Sequence, residues 1–133
     1  MKKFFSLSLL FFLIGFTQAQ HSSLDTVNAP VKYENVHVIK ISSDSLSASF
    51  IIFIKKEVNL HKHNAHTENV IVLEGGGEMC LGDKKFNIKK GDHVFIPKGT
   101  PHSVKVKSKK PLKVLSIQSP NFDGKDREFL DEK

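Results

Sequence analysis

From residue 36 to residue 117 the chain is a succession of short apolar runs, each about a strand long and bounded by Gly, Pro, Asn, Asp or Ser. They cover 36–41, 49–54, 68–73, 77–81, 85–88, 93–96, 103–106 and 112–117. No stretch sustains the apolar spacing of an amphipathic helix. Closely spaced short strands with a turn signal after each predict an all-β sandwich or barrel. Phenylalanine is abundant and tryptophan absent, so Phe50, Phe53, Phe86 and Phe95 are expected in the apolar filling.

Polar residues interrupt this pattern in two places. His61-Lys62-His63 is followed by Glu68, at the head of the next apolar run, and by the Gly75-Gly76-Gly77 turn. Further on, Gly91 leads through Pro97 and Gly99 to His102. Residues two apart on a strand share a face, so His61 and His63 can aim both rings at one interior point. A zincin helix would instead space its histidines four apart. Three imidazoles and a carboxylate are a donor set suited to borderline divalent metals, and the pattern predicts one metal site. His66, in the polar turn 64–67, is the alternative to Glu68, and a polar cluster without an ion is the alternative to a metal site.

These residues resemble the two motifs of the cupins. The first motif is two histidines separated by one residue, a glutamate three or four residues on and a glycine after six more; His61, His63, Glu68 and Gly75 fit it. The second is matched position by position by Gly91, Pro97, Gly99 and His102. Two common family positions depart, a glycine replaced by Lys55 and an asparagine replaced by Val106, and neither supplies a ligand. The resemblance implies a single cupin-type jelly-roll β-barrel with His61, His63, Glu68 and His102 as ligands of one divalent ion, Fe, Mn, Ni, Cu or Zn. The short segment 76–90 between the motifs implies a small single-domain member, and the family's habit of pairing through outer sheets implies a homodimer.

The chain divides into a signal peptide at 1–19, an arm at 20–34, the barrel at 35–118 and a tail at 119–133. Lys2 and Lys3, an apolar stretch too short to span a bilayer, and small residues ending at Ala19 predict cleavage and a secreted or periplasmic protein. No second apolar stretch predicts a membrane span. The formal net charge is +6, but Lys105, Lys107, Lys109, Lys110 and Lys113 are expected on a solvated face, where lysine protects a sheet edge, rather than on nucleic acid. Cys80 is the sole cysteine, so no intramolecular disulfide can form.

An ion held by four protein groups keeps one or two positions open. The pattern therefore predicts a small-molecule ligand, an organic acid, an enol or a sugar-like compound. One reading is an enzyme for oxygenation, decarboxylation or isomerisation; the other is a module that binds without turnover. No separate general base or nucleophile is identifiable, and catalytic residues stay unassigned.

Overall fold

The computed structural model describes residues 20–131, so the expected signal peptide lies outside the described residues. Among the described residues ten strands form: β1 (Val36–Ser43), β2 (Ala48–Ile54), β3 (Glu57–Lys62), β4 (Thr67–Glu74), β5 (Gly76–Leu81), β6 (Lys84–Lys89), β7 (His93–Ile96), β8 (His102–Val106), β9 (Leu112–Ser119) and β10 (Glu128–Phe129). They make two five-stranded antiparallel sheets, ordered β1-β2-β9-β4-β7 and β10-β3-β8-β5-β6. The all-β jelly roll expected from the sequence is the fold observed.

Alternation decides which residues fill the space between the sheets. Ile54, Val70, Val72, Val94, Ile96, Leu112 and Val114 enter from the first sheet, and Met79 and Ile88 from the second. Burying an aliphatic side chain of this size contributes about 1.5–3 kcal/mol, so this shared layer holds the sheets face to face. Phe50 and Phe53 are buried, whereas Phe95 is 52% exposed. Phe95 stands between the inward-facing Val94 and Ile96 on β7, and strand parity turns it to the outside. The expectation that it fills the core is therefore corrected.

β3 is absent from the apolar runs read in the sequence because it is mostly polar, with only Val58 and Leu60 apolar among Glu57–Lys62. The register with β8 shifts between Val58 and His61, a bulge that lets these residues, three apart, both line the interior. The bulge re-aims His61 toward the interior.

A second correction concerns Lys113. It is 7% exposed, and its Nζ donates at 2.7 Å to the carbonyls of both Leu24 and Val27. The N-terminal arm thus covers this lysine on the outer face of β9. Lys113 Nζ also lies 5.5 Å from the Phe53 ring centre. A buried ammonium needs such partners, and here backbone carbonyls supply them.

The motif glycine Gly75 has φ +76°, and a Cβ built on it would stand 2.7 Å from the Pro111 carbonyl oxygen and 3.1 Å from Leu112 Cα. Backbone cannot retreat as a side-chain tip can. Gly75→Ala should therefore cost about 2 kcal/mol or more through the left-handed conformation and the clash together. Urea unfolding of the two proteins checks this; equal midpoints would contradict it.

Candidate metal centre

His61 lies near the end of β3, His63 just beyond it, and His102 opens β8 directly opposite His61. Glu68 enters from β4 in the facing sheet. All four side chains are buried, at 2–6% exposure. The three imidazoles bring ligand nitrogens within 4.8 Å of one another. Their ring centres are 4.2 Å apart for His61 and His102, 5.1 Å for His61 and His63, and 5.4 Å for His63 and His102. Glu68 stands outside this three-membered set but faces it, with Oε2 at 3.6 Å from His63 Nε2 and 3.5 Å from His102 Nε2.

Backbone carbonyls fix the tautomers. The Nδ1–H of His61 donates to the Asn59 carbonyl at 2.8 Å, that of His102 to the Thr100 carbonyl at 2.9 Å, and that of His63 to the Asp126 carbonyl. Each ring then presents the Nε2 lone pair, and holding the far nitrogen in this way is how proteins orient imidazole ligands. The Nε2 atoms of His63 and His102 are buried without any hydrogen-bond partner. An orphaned buried polar atom is costly, and two aimed together at a carboxylate oxygen call for a shared occupant. Ligands about 2.0–2.2 Å from one ion stand roughly 3.0–3.5 Å apart, close to the 3.5 and 3.6 Å between Glu68 Oε2 and the two Nε2 atoms, so the residues fit a divalent metal.

The carboxylate is itself supported. Ser116 Oγ donates to Glu68 Oε1, and Gln118 Nε2 approaches the same oxygen at 3.4 Å, which leaves Oε2 to face the histidines. Sequence reasoning missed both residues, although β9 carried a signal. Leu112 and Val114 are apolar at inward positions, then Ser116 and Gln118 are polar at the same parity and fully buried.

His66, the alternative ligand, is placed elsewhere. Its Nδ1 is 2.5 Å from Asp126 Oδ2, and its Nε2 lies 3.3 Å from the Asn121 carbonyl oxygen. The Asp126 carboxylate also accepts the backbone N–H groups of Asn64 and Ala65, both at 2.9 Å. One tail residue thus ties down the turn between the ligand pair and Glu68, while its carbonyl orients His63. Beside it Phe122 packs on Phe50 and on the rings of His63 and His66. No local pattern in the sequence tells of this, because Asp126 is 63 residues from His63. Of the other histidines, His93 bonds Asn69 on the neighbouring strand and His37 lies against Tyr33.

Electrostatics divides the two histidines of the pair. Burial, with the neighbouring charges of His102 and Arg127, pushes His61 down to about 4, against the opposing pull of the Asn59 carbonyl. Burial also works against the His63 cation, but the Glu68 carboxylate and the Asp126 carbonyl outweigh it and raise its proton affinity. Glu68 is held well below the usual carboxylate range: burial opposes ionisation, and His102, His63 and Ser116 overcome it.

A pH signature follows for the metal-free protein. His61 titrates near 6.5 when unfolded and near 4 when folded, so the unfolded chain binds the extra proton as pH falls through that window. Its contribution, of order 3 kcal/mol, should be present above the window and lost on descending to about 4. His63 acts in the opposite sense, since a raised folded value gives stability below the unfolded value that disappears as pH rises. Urea unfolding across the window should show a steeper loss for the wild type than for His61→Asn, which lacks this titration; parallel profiles would refute the assignment.

Fold and site together define a jelly roll with a buried imidazole cluster and a facing carboxylate. The Cupin domain family model matches residues 51–118, and the chain belongs to the cupin family. An uncharacterized protein of Aquifex aeolicus is 39% identical over 93 residues, covering 70% of this chain and 76% of that protein. A double-stranded β-helix domain protein of Klebsiella pneumoniae superimposes with a TM-score of 0.72 at 17% identity, over 86% of this chain and 100% of that one. A predicted oxalate decarboxylase of Thermotoga maritima gives a TM-score of 0.60 at 24% identity, over 64% and 80% of the two chains.

Proposed function

We propose that this protein is an exported metal-dependent cupin, in which His61, His63, Glu68 and His102 hold one divalent ion that binds or transforms a small organic acid, enol or sugar-like ligand. The observation carrying the reading is the convergence of three imidazoles, each fixed through Nδ1, with two Nε2 atoms left unpartnered beside Glu68 Oε2. A bound ion would supply Lewis acidity and open positions for ligand oxygen atoms. The chain's own residues do the rest. The histidines keep their lone pairs directed inward, Glu68 offsets positive charge and can carry a proton, and the aliphatic walls exclude water.

The cavity beside these residues is about 250 Å³ and is lined by Val38, Ile52, Val70, Met79, Ile88 and Val104 among others. A chamber of this size suits a small molecule. The basic start, apolar stretch and Ala19 at residues 1–19 support export. Barrels of this fold host many chemistries, and the Thermotoga maritima neighbour shows only that the architecture accommodates one predicted for a small acid. The alternative, a module that binds without turnover, is favoured by the walls, which are largely aliphatic.

Elemental analysis of protein recovered from its native compartment tests the metal reading, with about one divalent ion per chain expected. Oxygen uptake, decarboxylation or isomerisation that depends on that ion supports the enzyme; tight binding without consumption supports the module. Protein free of metal that also declines Fe, Mn, Ni, Cu and Zn in titration would overturn both metal-based readings.

A further inference from the structure

We propose that Arg127 is the anchor for a carboxylate on the ligand, so that the cavity takes a small organic acid held by its charged end at the mouth and by its apolar body along the walls. This rests on the reading of the cavity as the ligand chamber and names the class of ligand it admits. Arg127 is the sole arginine of the chain. Its backbone is pinned on both sides. Asp126 is bound to the turn 64–66, and Glu128 pairs with Lys62 in the β10–β3 ladder. Arg127 N–H also donates to the Lys125 carbonyl at 2.9 Å.

Both neighbouring acids are committed elsewhere. The Asp126 carboxylate serves Asn64, Ala65 and His66, and that of Glu128 serves Lys62 and Asn64. Glu57 also lines the cavity, yet no carboxylate forms an ion pair with Arg127 among the described residues. Its Cζ stands 6.0 Å from the centre of the Phe122 ring, Arg127 lines the cavity, and its guanidinium has no hydrogen-bond acceptor among the described residues. Its charge is felt at both His61 and His63.

A planar fork of donors matches a carboxylate with two parallel hydrogen bonds, which a lysine cannot reproduce. Val36, Val38 and Phe129, which are 42%, 48% and 62% exposed, line the cavity with Arg127, and Asn35, Glu57 and Asn59 are polar residues of the same lining. A cation with no ion-pair partner among the described residues, beside these apolar side chains, favours an anionic head on an apolar body. Such a ligand can leave a second polar group directed toward the histidine cluster.

The test uses isovalerate and its neutral counterpart isovaleramide, titrated calorimetrically into the full chain, metal-free and zinc-loaded, with zinc content measured on the same samples. The wild type should prefer the acid, and Arg127→Gln should weaken isovalerate by about tenfold while leaving isovaleramide unchanged. Arg127→Lys should fall between them. No preference for the acid in the wild type, an unchanged isovalerate affinity in Arg127→Gln, or equal weakening of both probes would each overturn the proposal, the last by showing a merely structural role. Failure to retain zinc would count against the metal reading instead, and the metal-free titrations would still decide the role of Arg127.

Discussion

The His102→Ala substitution should strip the protein of most of its bound metal, lowering affinity by more than about a hundredfold, while the jelly roll stays folded. Supporting residues around an imidazole ligand commonly account for 10–100-fold in affinity, and loss of the ligand itself must exceed that. His102 connects the cluster to the carboxylate: its ring is the nearest neighbour of His61, and its Nε2 faces Glu68 Oε2. The apolar layer that holds the sheets together contains none of the four polar residues, so the fold does not depend on the imidazole. What disappears is the metal-linked part of stability, roughly 2.7 kcal/mol at a free metal concentration 100 times Kd. Inductively coupled plasma analysis and thermal melts with and without zinc check both halves. His63→Ala should behave alike, and Glu68→Gln should weaken metal binding less, because three imidazoles remain. His66→Ala should keep the full metal stoichiometry. If His66→Ala empties the site while Glu68→Gln does not, Glu68 is not the fourth ligand.

Removing residues 120–133 should have the next largest effect. Three losses coincide: the buried Phe122 leaves its packing on Ala48 and Phe50, β10 leaves β3, and His63 loses the carbonyl that fixes its tautomer. Emptying a site the size of Phe122 typically costs about 3–5 kcal/mol, which in a domain of this size is a large share of total stability. Metal affinity should fall in addition by about 10–100-fold, the range for loss of a group that orients a ligand. The two effects separate in Phe122→Ala, which should lower the melting temperature while keeping most of the affinity. A truncated chain that binds zinc as tightly as the full one would show that the tail does not orient His63.

Much of this was legible in the residues themselves. Strand parity and turn residues gave the β architecture, because each strand buries one face and pays for any slip in register. The spacing of His61, His63, Glu68 and His102 marked the site, since each departs from the apolar pattern around it. What escaped was set by contacts distant in sequence. Lys113 reads as one more lysine in a basic stretch until the arm's carbonyls are seen to cover it. Asp126 and Arg127 read as part of a polar tail until β10 lays them against β3. β3 escaped the series of apolar runs because only two of its residues, Val58 and Leu60, are apolar, and its bulge is set by pairing with β8.

His61 and His102 belong to one sheet, His63 follows directly on its strand β3, and Glu68 belongs to the other sheet. An ion bound by all four would therefore be a cross-link between two layers held face to face by side-chain packing and joined by loops, and it would tie β3 and β8 to β4 by bonds far stiffer than that packing. The layers could then no longer part independently at this end of the roll. Loading with metal should accordingly slow amide hydrogen exchange on β3, β4 and β8 together, including amides far from any ligand, and merge their separate openings into a single cooperative event.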